Sequence, residues 1–234
     1  MTKTAKPVFV AVVVAVLVLA ATLGATLVLR QLRETAARQP APSAPGPNPS
    51  TGPAQLCGQV ECVKLTSVAM PQFKETVELL ADGKGHFARL RITSDRGAVM
   101  FSSQIGTVTQ HSITCEEGKT SACLLQGPDG DNTDLIGEVY TDDAGAWRQT
   151  PIPFSSDAGY LALRDVDGDG TPDVVTTQRR CSDDPPASCT KIAVAVFQLM
   201  GDPIGCTVTY ATPPQLPGWP EVAPDASKLS ACPS

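Results

Sequence analysis

The chain has 234 residues, 42% of them hydrophobic but only 5% aromatic, enough for one globular domain with appendages and too little for two sizeable cores. Of its 18 basic and 24 acidic residues, five bases (Lys3, Lys6, Arg30, Arg33 and Arg38) and one acid (Glu34) precede residue 51. That leaves 13 bases and 23 acids, a formal charge of −10, on everything after it. Such a surface repels nucleic-acid phosphates and excludes nucleic-acid binding as a function.

Residues 1–6 form a short tail with two lysines, expected to be cytoplasmic. Residues 7–29, PVFVAVVVAVLVLAATLGATLVL, contain no charge. As a helix this run spans roughly 34 Å, the thickness of a bilayer core, and it exceeds the apolar stretch of a cleavable signal peptide. It reads as an uncleaved signal anchor with one transmembrane helix. Basic residues around it narrowly favour the opposite orientation, with three arginines on the far side against two lysines before it. The cysteines decide the matter. All eight (Cys57, Cys62, Cys115, Cys123, Cys181, Cys189, Cys206 and Cys232) lie beyond the span. An even set in an acidic segment behind a membrane anchor reads as disulfides, which need an oxidising compartment. No Cys-x-x-Cys pair supports zinc instead. The expected placement is a single-pass protein of the cell membrane with its C-terminal domain extracytoplasmic.

Residues 30–54 form a juxtamembrane linker whose segment 39–53, QPAPSAPGPNPSTGP, favours extended, hydrated, disordered chain. The domain then runs over residues 55–234. Short runs of β-forming residues at 76–80, 87–92, 98–101, 135–140, 160–163, 174–177 and 192–199 are separated by Gly, Asp, Asn and Pro. Asp82-Gly83-Lys84-Gly85 is a hairpin-type turn between the first two. Short turns are expected near 66–75 and 225–230. The fold class is mainly β, a compact disulfide-stapled antiparallel sandwich or meander. Nearest-neighbour pairing of the cysteines is the simplest connectivity, each short-loop bridge stabilising by ~2–3 kcal/mol.

The most specific local feature is Asp165-Val-Asp167-Gly-Asp169-Gly-Thr-Pro-Asp173. Carboxylates at relative positions 1, 3, 5 and 9 suit a cation that takes six to eight oxygens, and Gly170 permits the sharp turn. An EF-hand would need Glu at position 12, which is Thr176, and flanking helices where the pattern shows strands. The segment from Leu163 to Val175 instead resembles the calcium loop of FG-GAP/VCBS repeats, D-x-D-G-D-G-x-x-D between two strands. The resemblance implies Ca2+ held by Asp165, Asp167, Asp169, the Thr171 carbonyl and Asp173, in a structural role. Residues 127–137 look like a degenerate copy. One good motif in about 180 residues excludes a complete propeller ring.

No catalytic motif is present: no Gly-x-Ser-x-Gly, no His-Glu-x-x-His, no phosphate or dinucleotide loop. The expected function is a membrane-tethered, calcium-binding β domain with a binding or envelope-associated role. Its partner would be an envelope protein or ligand, and the Ala/Pro-rich anchor–stalk–domain layout suggests a bacterial envelope. An enzyme is the less favoured reading: an extracytoplasmic hydrolase built on scattered acids such as Glu116-Glu117 or Asp142-Asp143. A structural or sensory ectodomain of a membrane complex is the third. Trp219 is expected to anchor the Pro-rich tail against the core.

Overall fold

A computed structural model describes residues 56–130, 134–181 and 189–232. The expected anchor (7–29) and linker (30–54) lie outside the described residues. Among the described residues no helix is long and apolar enough to cross a membrane.

The chain enters through a two-stranded hairpin, β1 (Leu56–Cys57) with β2 (Val60–Glu61), closed by the Cys57–Cys62 disulfide. Three antiparallel sheets follow in chain order. The first is the meander β3 (Val63–Met70), β4 (Glu75–Ala81), β5 (Arg89–Ser94) and β6 (Gly97–Ser102). The second contains β7 (Ile113–Glu116), β8 (Ala122–Pro128), β9 (Leu135–Asp143) and β10 (Ala146–Gln149), with β11 (Phe154–Ser156) also paired to β9. The third is β12 (Leu161–Arg164), β13 (Asp173–Arg179), β14 (Ile192–Phe197) and β15 (Pro203–Cys206). The mainly β, antiparallel class is as expected. The meander repeats three times, so the domain has three layers where a sandwich has two.

Side-chain alternation explains the layering. On β8, Cys123 and Leu125 join Leu79, Leu90 and Ile92 of the first sheet in one core, while Ala122 and Leu124 join Leu161, Leu163 and Val174 of the third in another. The middle sheet is thus buried on both faces, and the first four residues of β8, Ala122–Leu125, form an apolar run. The third sheet is also covered twice. Val174 faces inward, while Val175, Val194 and Val196 pack under Leu216 and Val222 of the C-terminal segment. The outward face of the first sheet is largely polar, with Glu78 bridged by Arg91 at 2.6 Å and Lys64 at 3.3 Å.

Several sequence readings need correction. Thr66–Met70 is strand, not turn, because β3 pairs along β4 from Val63 to Met70. Phe87 lies outside β5, with φ at 52° and its ring against Gly58. Trp219 is 41% exposed and does not anchor the tail; the buried Leu216 and Val222 do. The second acidic stretch, which looked like a copy of the calcium loop, joins β8 to β9. The Asp165–Asp173 loop joins β12 to β13, so one connects second and third strands of its sheet and the other first and second. Gly127 and Pro128 belong to β8 itself, and residues 131–133 of that stretch are outside the described residues. All four nearest-neighbour disulfides are formed: Cys57–Cys62, Cys115–Cys123, Cys181–Cys189 and Cys206–Cys232.

Candidate metal centre

The acid loop spans the turn between β12 and β13, whose register runs from Leu161 opposite Thr176 to Arg164 opposite Asp173. Two left-handed glycines, Gly168 at φ 77° and Gly170 at φ 86°, fold it back on itself. Aspartates fix its backbone. Asp165 accepts from the amides of Gly168 (2.8 Å) and Gly170 (3.1 Å), and Asp167 from that of Asp169 (3.0 Å). Asp173 accepts from the amide of Val166 at 3.0 Å.

Carboxylate oxygens of Asp165, Asp167 and Asp173 lie within 4.8 Å of one another. Oxygens that share a calcium ion at 2.3–2.6 Å sit at most about 5 Å apart, so the three fit one cation. The donor set is oxygen only, which suits a hard divalent ion and not zinc. Asp169 and Thr171, named with them on sequence grounds, are outside this trio. The Asp169 side chain accepts from the Thr171 amide at 2.6 Å.

Asp165 and Asp167 are exposed, whereas Asp173 is buried at the start of β13. Burial, reinforced by the charges of Asp167 and Asp169, pushes the Asp173 carboxyl up to about 6 despite the amide of Val166. This acid therefore holds its proton to higher pH than an ordinary carboxylate does. Its stabilising contribution is full below the ordinary carboxylate range and is lost as pH rises through about 6. Below about pH 6 a cation at the trio must displace that proton.

The loop is held from the neighbouring sheet. The amide of Lys119, at the tip of the β7–β8 hairpin, donates to the Gly170 carbonyl at 2.7 Å. Its ammonium reaches the Asp169 carbonyl. Its aliphatic stem lies over Gly170, where an added Cβ would sit 3.2 Å from the Lys119 Cε. A Cβ on Gly118 would come to 2.3 Å from the Gly170 carbonyl oxygen, so the approach requires glycine at both positions. The hairpin is rigid for this purpose: Cys115 and Cys123 are direct cross-strand partners joined by a disulfide. On its far side Glu117 accepts from the Gln72 amide of the β3–β4 turn at 2.8 Å. The first turns of all three sheets are thereby linked. Sequence reading missed Gly118 and Lys119. The bracketing cysteines mark a stapled loop there, but nothing in the sequence says what the loop touches.

The acids named for hydrolase chemistry are scattered. Asp142 is buried toward the first sheet, while Asp143 is exposed and pairs with Arg148 at 3.7 Å. The buried Glu138 lines a cavity of about 270 Å³. Both its oxygens are engaged, by the Gln104 amide at 2.8 Å and the Tyr140 hydroxyl at 2.7 Å. Burial also raises the Glu75 carboxyl, which accepts from the Trp147 indole at 2.9 Å across the junction of the first two sheets.

No family model, curated protein or solved structure matches the chain.

Calcium affinity, measured by titration at a series of pH values, is expected to be flat above pH 6 and to fall about tenfold per unit below it as Asp173 takes up its proton. A flat profile down to pH 5 would separate Asp173 from the site.

Proposed function

We propose that this protein is a membrane-tethered, extracytoplasmic binding module whose third sheet carries a structural calcium site. The observation that carries the metal reading is the convergence of Asp165, Asp167 and Asp173 within 4.8 Å on a loop with left-handed glycines at Gly168 and Gly170. The cation would be held by these three carboxylates, with Asp169 and the Thr171 carbonyl as the remaining ligands implied by the resemblance to FG-GAP/VCBS loops. Its role would be to cancel the repulsion among acids that share one turn and so to fix β12 against β13. Four disulfides support an oxidising location for the domain. The uncharged run at 7–29 supports its tethering. Binding is favoured over catalysis because Glu138, buried beside one cavity, has both oxygens hydrogen-bonded within the fold, and Asp173, buried beside the larger cleft, is one of the three carboxylates proposed to hold the cation.

Calcium should stabilise the folded protein by RT ln(1 + [Ca]/Kd) and so raise its melting temperature, and chelator should remove that gain. Asp167→Ala should abolish the difference. Identical melting of parent and variant in calcium and in chelator would reduce the loop to an ordinary turn. For the tether, a C-terminal reporter that works only in the cytoplasm should be silent; activity there would reverse the proposed orientation.

A further inference from the structure

A cleft of about 510 Å³ opens where the second and third sheets meet, beside the acid loop. That volume suits one small ring ligand. Four separate segments wall it: the β7–β8 hairpin, the β9–β10 hairpin with the residues after it, the acid loop, and the β14–β15 turn. It is therefore built by the junction of sheets and not by a single loop.

We propose that this cleft binds an uncharged saccharide, an inference that rests on the reading of the domain as a binding module. Both signs of charge face the cleft, which disfavours a strongly charged ligand of either sign. Apart from the acids assigned to the cation, Asp143 and Arg148 both line it. The Arg148–Asp143 pair spans 3.7 Å with both side chains 68% exposed, a weak contact that leaves the guanidinium able to donate to a ligand. The remaining polar groups suit hydroxyls. The Thr141 and Thr171 hydroxyls and the Gln149 and Gln198 amides each can donate and accept, as each sugar hydroxyl does. An apolar ledge completes the site. Leu199 is buried behind it, and Met200, 59% exposed, offers a pliable surface to the C–H face of a ring. A wholly apolar ligand would desolvate the threonines and glutamines without pairing them.

The test uses the full chain in detergent with calcium, presented to immobilised neutral oligosaccharides ending in glucose, galactose, mannose or N-acetylglucosamine. Sialylated oligosaccharides, an acidic peptide and a basic peptide are run beside them. Retention on at least one neutral oligosaccharide is expected. Gln198→Ala and Met200→Asp should each weaken it about tenfold, the effect of one lost polar or apolar contact. Both variants should unfold cooperatively near the parent's melting temperature, which shows them folded whether or not calcium shifts it. No retention on any neutral oligosaccharide, retention of charged probes alone, or binding indifferent to both variants would overturn the inference. A calcium shift without sugar binding would overturn the cleft and leave the metal site standing. Sugar binding that responds to the variants, with no calcium shift, would uphold the cleft and remove the metal.

Discussion

One main-chain hydrogen bond, from the Lys119 amide to the Gly170 carbonyl at 2.7 Å, joins the second sheet to the third where the acid loop turns. The loop needs such a brace because it concentrates four aspartates in nine residues. Their mutual repulsion opposes the compact turn unless backbone amides, an ammonium or a bound cation offset it. Amides within the loop supply the first, and the brace supplies the second from outside it, the Lys119 ammonium at the Asp169 carbonyl. A calcium ion would supply the third from within. Because the hairpin carrying Lys119 is closed by Cys115–Cys123, the oxidised cysteines and the acid loop belong to one mechanical unit. That unit also forms part of the wall of the 510 Å³ cleft, through Thr120 on one side and Asp169 and Thr171 on the other.

The three layers share their burial unequally, and this explains how the stack ends. The middle sheet has apolar residues on both faces, so it can exist only between two others. The first sheet turns the Lys64–Glu78–Arg91 ladder outward, a largely polar face on which Leu80 is buried. The third is closed by the C-terminal segment, where Leu216 and Val222 cover Val175, Val194 and Val196. Cys206–Cys232 and the paired backbones of Cys206 and Ser230 fasten that cover to β15. Each end is thus finished, as the terminal units of a repeat array must be.

Strands with one buried face were legible from the sequence. β4, β5 and β6 alternate or carry β-branched residues between clear turns, and the Asp82 turn is held as its residues suggest, by the amides of Lys84 and His86 on one carboxylate oxygen. β8 was not legible, because its Gln126-Gly127-Pro128 end carries turn residues inside a ladder with Ile136 and Leu135. Gly127 is tolerated there since a Cβ would meet the Ile105 side chain at 2.6 Å, a tertiary contact that leaves no local trace. At the candidate metal centre, spacing gave Asp165, Asp167, Asp169 and Asp173, of which Asp165, Asp167 and Asp173 converge. It could not show that Asp169 turns to cap Thr171, nor that a lysine 50 residues earlier in the chain closes over the loop. Nearest-neighbour cysteine pairing was readable because each of the three short bridges joins cysteines only 5 or 8 residues apart.

Amide hydrogen exchange at Lys119 tests the central claim most directly, since that amide reports the brace while lying outside the acid loop. If calcium orders the loop and the loop is gripped by the hairpin, calcium should slow exchange at Lys119 and Thr171 by about tenfold or more relative to chelator, and leave Leu79 of the first sheet unchanged. Equal rates at Lys119 in calcium and in chelator would contradict the account, because the acid loop would then be neither ordered by the ion nor coupled to the second sheet.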